Sequence, residues 1–195
     1  MPLLTWSLNQ HTAEPVNGQW VDFSRIPRRR DTEWKLAAAL DLYPCNLLFV
    51  HRDAENQPPE LRRREIASNL RNSRVKHVPV VPVRMTEAWF LVDEKAIRLA
   101  AGNPNGTEDL NIPAIGKIES IPDPKKTLHD ALLRASGRNA RRRSRFPIHE
   151  RVYRVAEYLE DYSVLRALPA FELLQRDIRL VVHLGFSNDQ PLQPT

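Results

Sequence analysis

Two acidic residues stand one position apart at the end of a short apolar run. Residues 47–50 are all apolar and predict a short buried strand, and Asp53 and Glu55 follow it. Side chains alternate in direction along a strand, so these two carboxylates point the same way as far as the strand conformation persists. Carboxylates held together repel each other unless a cation lies between them. The spacing predicts a Mg²⁺ or Mn²⁺ site; a solvated loop start without a function is the alternative.

A third acid, Glu87, follows the next apolar segment, VPVVPV. We predict Asp53, Glu55 and Glu87 as the metal ligands and catalytic residues, with Glu87 as a ligand or a general base. Its alternative role is structural, because the helix dipole stabilises a carboxylate in the first turn of a helix. Asp93 lies six residues further on and is expected to support the site at most. His51 is a further candidate for acid or base chemistry, because it lies near the acids.

Basic residues in three places are candidate contacts for phosphate or nucleic acid. Two arginines lie beside the predicted acid cluster, two lysines open a predicted helix, and an arginine-rich loop lies between two predicted helices. A helix start disfavours cations and attracts anions, so lysines there indicate a nearby phosphate. Ordinary solvated surface charge is the alternative for the lysines and for the loop. The members of this set are Arg52, Arg84, Lys125, Lys126, Arg141, Arg142 and Arg143.

Prolines, glycines and capping residues divide the chain into alternating helices and strands. Strands are predicted over residues 17–27, 45–52 and 75–85. Helices are predicted over residues 2–11, 27–44, 59–72, 86–102, 125–136, 150–160 and 169–185. Strands that alternate with helices are typical of a layered fold with a parallel sheet. In such sheets ligands bind beyond the carboxyl ends of the strands, which is where the acid cluster lies.

The predicted fold is α/β, with a mainly parallel sheet flanked by helices and a helical C-terminal extension. We expect a single domain over residues 1–185, helical from about residue 125, and a disordered tail over residues 186–195. A chain of 195 residues is long enough to bury a sizeable core. The start of the sequence lacks the basic segment and cleavage site of a signal peptide, so we expect none.

Composition limits the partners and the compartment. The net charge of +5 favours a polyanion such as nucleic acid as a partner. No apolar run approaches the roughly 20 residues that a membrane helix needs, so no membrane partner is expected. The single cysteine, Cys45, excludes an intrachain disulfide and a cysteine-based zinc site, and we expect a cytoplasmic location. No phosphate-binding glycine motif is present, which argues against ATP hydrolysis by this chain.

Five segments carry a resemblance to a known family. LLFVHRDAE, VPVRMTEAWFLVD, IRLAAG, IESIPDPKK and LRALPAFELL resemble, in order and spacing, the bacterial family filed as domain of unknown function 4276. The resemblance covers roughly residues 42–174, and its most specific parts are E-A-W-x-L-x-D and D-P-K. That family looks like a relative of the Toprim domain, the metal-binding fold of topoisomerases, primases and several phage-defence nucleases. Asp53 and Glu55 match the Toprim D-x-D position, with Glu as the second acid.

The resemblance implies a Toprim-like, Mg-dependent nuclease or phosphoryl-transfer domain acting on nucleic acid. It also implies an anti-phage defence setting, often beside a separate ATPase of the OLD or ABC kind. The Toprim pattern opens with a strand that leads to a glutamate and a glycine, whereas this sequence starts at the following helix. We therefore expect that glutamate either upstream of Met1 or lost. The alternative function is a non-catalytic subunit that binds nucleic acid or that ATPase. DNA or RNA as the partner, and the oligomeric state, stay open.

Overall fold

The computed structural model describes residues 2–21, 31–55, 57–139, 141 and 144–185. Within these ranges the chain forms seven α-helices, two strands and three 3-10 helices. The α-helices are α1 Pro2–Asn9, α2 Thr32–Leu42, α3 Pro59–Asn69, α4 Glu94–Ala101, α5 Pro124–Ala135, α6 Ile148–Tyr158 and α7 Pro169–His183. The strands are β1 Leu47–His51 and β2 Lys76–Val80, and the 3-10 helices are Thr86–Phe90, Ile115–Ser120 and Ser163–Ala167.

β1 and β2 form a parallel pair. Leu47 lies opposite Lys76, and His51 lies opposite Val80. The connection between the two strands contains α3, as a parallel pair requires a crossover. The prediction of an α/β chain with parallel strands is confirmed at this level. The Toprim topology stays a prediction.

The sheet separates two hydrophobic clusters. The smaller one is formed by buried residues of α2, β1 and α3, among them Leu36, Val50 and Ile66. The larger one holds Val78 and Val80 of β2 together with residues of α1, α4, α5, α6 and α7. Because neighbouring strand residues face opposite sides, the sheet packs helices on both faces. The predicted helical part is therefore extensive: the described residues from 86 to 185 contain helices and no strand.

Capping residues explain where several helices begin. The Asp31 carboxylate accepts a hydrogen bond from the backbone N–H of Trp34 at 2.8 Å and caps the start of α2. α3 and α5 begin with prolines, whose missing N–H is not needed in a first turn. The predicted helices of these segments are confirmed, with ends shifted by a few residues.

The single helix predicted over residues 86–102 is wrong in one respect. The segment is a 3-10 helix, Thr86–Phe90, followed after a turn by α4. Asp93 is the reason for the division, because its carboxylate accepts from the N–H of Ala96 at 3.0 Å and caps α4. Gly102 ends α4 with φ of 77°, a left-handed conformation that glycine adopts without steric cost.

The predicted strand over residues 17–27 falls partly outside the described residues. Its described part, residues 17–21, is irregular. Residues 22–30, which include the rest of that prediction, lie outside the described ranges, as does the predicted tail over residues 186–195. Within the part of the chain that is described, none of the helices has the length and apolar character needed to cross a bilayer.

Candidate functional site

The two strands continue to pair beyond their assigned ends. The backbone N–H of Arg52 donates to the carbonyl of Val80 at 3.1 Å, and the N–H of Glu55 donates to the carbonyl of Arg84 at 3.3 Å. These bonds hold the segments after β1 and β2 side by side at the carboxyl edge of the sheet. Open parallel sheets bind their ligands at this edge.

The side chains of His51, Asp53 and Thr86 meet at this edge. His51 Nε2 lies 2.8 Å from Thr86 Oγ1 and 3.2 Å from Asp53 Oδ1. Both partners approach the same ring nitrogen. In a catalytic triad the acid and the nucleophile bind different ring nitrogens, so this arrangement is not a triad.

One oxygen of Asp53 is buried without a hydrogen bond. Asp53 Oδ1 has almost no solvent-exposed surface, and its contact with His51 lacks the geometry of a hydrogen bond. A buried carboxylate oxygen is costly unless a proton, a water or a cation satisfies it. Asp53, which the spacing of the two acids singled out, therefore has one carboxylate oxygen without a hydrogen bond among the described residues.

Glu55 is held differently from Asp53. β1 ends at His51, and Glu55 has φ of 56°, so strand alternation does not extend to it. Its side chain is 69 % exposed and lies 4.0 Å from the guanidinium of Arg62. The expectation that Asp53 and Glu55 point the same way required extended backbone as far as Glu55, and the backbone is not extended there. A joint metal site of Asp53 and Glu55 stays a prediction.

Glu87 lies on the 3-10 helix Thr86–Phe90, which packs against α5. It acts electrostatically on His129 of α5, whose ring lies 5.8 Å from that of His149. Burial, His149 and Lys125 lower the pKa of His129, and Glu87 with Asp123 opposes this shift. The structure therefore brings Glu87 together with the start of α5.

Among the described residues, no three His, Cys, Asp or Glu side chains are close enough together to hold a metal ion. The predicted set of Asp53, Glu55 and Glu87 is therefore not assembled as a three-ligand cluster. Mg²⁺ needs fewer protein ligands, because it is commonly held by one or two carboxylates together with water and substrate phosphate. Asp53 and the Thr86 hydroxyl fit this smaller donor set by chemistry.

The arginines beside the site are engaged with acids or carry other contacts. Arg52 lies 3.4 Å from Glu65, and Arg62 binds the same carboxylate at 3.0 Å. Arg84 is half-buried and its backbone carbonyl accepts from Glu55. A phosphate that bound Arg52 would compete with Glu65. Exposed pairs of this kind contribute only about 0–1 kcal/mol, so such an exchange costs little.

The predicted phosphate site at the start of α5 has local partners. The Asp123 carboxylate accepts from the N–H of Lys126 at 2.8 Å and caps the helix. The ammonium of Lys126 binds Asp130 at 2.6 Å, and this hydrogen bond raises the lysine's pKa. Lys125 is exposed and acts on His129. The helix start therefore already carries an anion, supplied by Asp123.

The arginine-rich loop is only partly described. Arg141 is exposed. Arg142 and Arg143 lie outside the described residues, so their predicted role in nucleic-acid binding stays a prediction. Arg138, at the start of the loop, places its guanidinium 5.2 Å from the centre of the Phe146 ring.

An open groove lies along the whole of β1. Its volume is about 1200 Å³, and its walls come from α1, α2, β1 and the segment over residues 14–21. Leu8, Leu36 and Phe49 line it, together with His51. The groove therefore meets the candidate site at His51.

Sequence reasoning missed the role of two residues at this site. Thr86 was expected only as the first residue of the helix predicted over residues 86–102, and its hydroxyl contacts His51. Glu65 was one charge in a charged helix, and it binds two arginines. In the register of the parallel pair Val80 lies opposite His51, and Thr86 reaches the His51 ring from the 3-10 helix that follows β2. No local sequence pattern signals that contact.

Comparison of the chain with known proteins found no match. No family model matches the chain, and neither a curated protein nor a solved structure matches it. The resemblance of the five segments therefore stays an expectation drawn from the sequence.

Proposed function

We propose that this chain is a divalent-cation-dependent phosphoryl-transfer domain, a nuclease acting on nucleic acid, with its site at the carboxyl edge of β1 and β2. The observation that carries the proposal is that Asp53 Oδ1 is buried and lacks a hydrogen bond. It lies 3.2 Å from the ring of His51, which is hydrogen-bonded to the Thr86 hydroxyl. A carboxylate at the end of a parallel strand suits an oxygen-preferring cation.

Asp53 would hold the cation, with the Thr86 hydroxyl as a second oxygen donor. Bound Mg²⁺ or Mn²⁺ supplies charge neutralisation at phosphate and a water of lowered pKa. His51 would orient the Thr86 hydroxyl through their hydrogen bond, and it lies 3.2 Å from Asp53 Oδ1. Arg52 would exchange Glu65 for a substrate phosphate, since the existing pair spans 3.4 Å at the surface. Glu55 and Glu87 remain proposed ligands from the sequence pattern, with Glu87 also a proposed base.

The second candidate is a non-catalytic subunit that binds nucleic acid or a separate ATPase of the OLD or ABC kind. It is favoured by the absence of a three-ligand cluster among the described residues and by the position of Glu55 beside Arg62. An anti-phage defence setting is proposed for both candidates on the resemblance alone.

The test is cleavage of labelled DNA and RNA by the full chain in Mg²⁺, Mn²⁺ and excess chelator. We expect metal-dependent cleavage that Asp53→Asn abolishes. The matched control is Glu60→Gln, which removes one exposed carboxylate at the start of α3 and should leave cleavage unchanged. Metal-independent cleavage, or equal activity in Asp53→Asn, would overturn the proposal. Binding without cleavage in every metal would favour the second candidate.

A further inference from the structure

We propose that the outer face of α3 and the turn after it bind the sugar-phosphate backbone of a nucleic acid. This surface, the α3 basic face, consists of Arg64, Ala67, Ser68, Arg71 and Arg74. The inference rests on the proposed action on nucleic acid, and it assigns the surface along which the substrate lies.

The members of the α3 basic face are all exposed. Arg64, Ala67 and Ser68 lie on the helix, and Arg71 and Arg74 lie in the turn that leads to β2. The opposite side carries Ile66 and Leu70, whose side chains are buried, with exposed fractions of only 1 % and 4 %. The orientation of the helix is thus fixed by its core contacts, and the arginines point outward.

Of the three consecutive arginines in α3, residues 62–64, two make ion pairs. Arg62 binds Glu65, and Arg63 makes an ion pair with Asp177 of α7. Arg64 has no ion pair within the described residues, although Glu60 precedes it by one turn. Arg71 and Arg74 likewise make none there. The paired arginines attach α3 to its neighbours, whereas the α3 basic face retains its positive charge.

Over residues 60–76 the acids are Glu60 and Glu65, against five arginines and Lys76, and Glu65 is engaged by Arg52 and Arg62. The surface around the α3 basic face therefore has a local excess of positive charge that complements phosphate. Ala67 and Ser68 are small, so they let a backbone approach between the two helical turns.

The spacing suits an extended backbone. Arg64 lies five residues before Asn69, the last residue of α3, which is about 7.5 Å along the helix axis, and Arg71 follows in the turn. A strand of nucleic acid carries one phosphate per about 3.4 Å of duplex axis, so two non-adjacent phosphates are within reach of the pair. Contacts of this kind position a substrate without reading its sequence.

The α3 basic face is continuous with the candidate site. Glu65 of the same helix lies 3.4 Å from Arg52, and Arg62 lies 4.0 Å from Glu55. The first turns of α3 thus contact the segment that carries Asp53. A nucleic acid bound along α3 would reach the carboxyl edge at its end near Arg64.

The experiment compares Arg64→Ser/Arg71→Ser with the wild-type chain in excess chelator, where cleavage cannot occur. Binding of a duplex and of a single strand of mixed sequence is titrated at several salt concentrations. We expect the slope of log K against log salt to fall by roughly 1.8 on duplex DNA, or about 1.4 on a single strand, for two lost contacts. Different sequences should lose affinity alike.

The matched control is Lys95→Ser/Lys117→Ser, which removes the same charge from exposed positions on α4 and on the 3-10 helix Ile115–Ser120. Its slope should stay at the wild-type value. An unchanged slope in the arginine variant, or an equal fall in the control, would overturn the inference while leaving metal-dependent cleavage unaffected. A wild-type chain that binds neither nucleic acid in chelator would also overturn this inference, whereas the cleavage assay in Mg²⁺ and Mn²⁺ tests the proposed function separately.

Discussion

The ring of His51 is placed between an aspartate and a threonine that are 33 residues apart in sequence. The threonine hydroxyl approaches to 2.8 Å and the aspartate oxygen to 3.2 Å, both at Nε2. One N–H or one lone pair serves a single strong hydrogen bond, so Thr86 is the partner and Asp53 Oδ1 is left over. Asp53 Oδ1 therefore has no hydrogen bond among the described residues.

The Thr86→Val variant tests whether the Thr86 hydroxyl is hydrogen-bonded to His51. Valine keeps the shape of threonine but removes the hydroxyl, so the bond to His51 is lost. We expect a loss of about 0.5–1.5 kcal/mol in the free energy of unfolding, measured by urea titration. Thr86→Ser retains the hydroxyl and is the control, which should keep most of the stability. Equal stability in the valine variant and the wild type would contradict a hydrogen bond here.

Residue type and spacing placed Asp53 at the carboxyl edge of the parallel pair, and the structure has it there, while its role as a metal ligand stays a prediction. They were not sufficient for Glu55. The expected alternation requires extended backbone, and a left-handed residue after the strand redirects the side chain to Arg62. Short-range patterns do not encode such a turn.

Among the elements, α4 shows how a carboxylate can be structural rather than catalytic. Asp93 accepts from the N–H of Ala96, so its replacement removes a helix cap. We expect Asp93→Ala to lower the free energy of unfolding by about 1 kcal/mol and to leave metal affinity unchanged. Asp93→Ser supplies another capping oxygen and should restore most of the stability. A loss of metal affinity in Asp93→Ala would instead place Asp93 in the site.

Glu119 links the 3-10 helix Ile115–Ser120 to the start of α7. Its Oε1 accepts from the N–H of Ala170 at 3.2 Å, and burial raises the pKa of its carboxyl. A raised pKa in the folded state means that protonation stabilises the fold. This contribution is present below the unfolded pKa of about 4.3 and is lost as pH rises through the folded pKa.

Glu119→Gln removes the charge and keeps an acceptor oxygen. The stability of the variant relative to the wild type should therefore increase between pH 4 and pH 7. Urea unfolding of both proteins at the two pH values measures this difference. A relative stability that falls towards pH 7 would show that the ionised carboxylate is the favoured form in the fold.

The order of the elements could be predicted from the sequence, since Asp31, Pro59, Pro124 and Pro169 mark helix starts. The division at Asp93 was missed because aspartate within an apolar run is also compatible with a continuing helix. The structure of residues 86–93 depends on how Trp89 packs against Phe171, with ring centres 5.6 Å apart. That contact joins residues distant in sequence, which periodicity does not report.

At the scale of the whole molecule, the sheet positions the site between two cores. Helices α2 and α3 cover one face, and the larger helical cluster covers the other. The carboxyl edge lies at the rim of both. The predicted layered α/β arrangement was accessible from alternating elements. The path of the chain after β2 that brings Thr86 to His51 was not, because it depends on a contact between residues more than 25 positions apart.

The central claim is that the Asp53 carboxylate holds a divalent cation, and calorimetric titration of Mn²⁺ into the full chain tests it most directly. We expect saturable binding in the wild type and at least a tenfold weakening in Asp53→Asn, equivalent to about 1.4 kcal/mol. A comparable weakening in Glu55→Gln, which changes an exposed acid beside Arg62, would place the proposed ligand Glu55 in the same site. Urea unfolding verifies that each variant is folded. Mn²⁺ affinity in folded Asp53→Asn equal to that of the wild type would contradict the account.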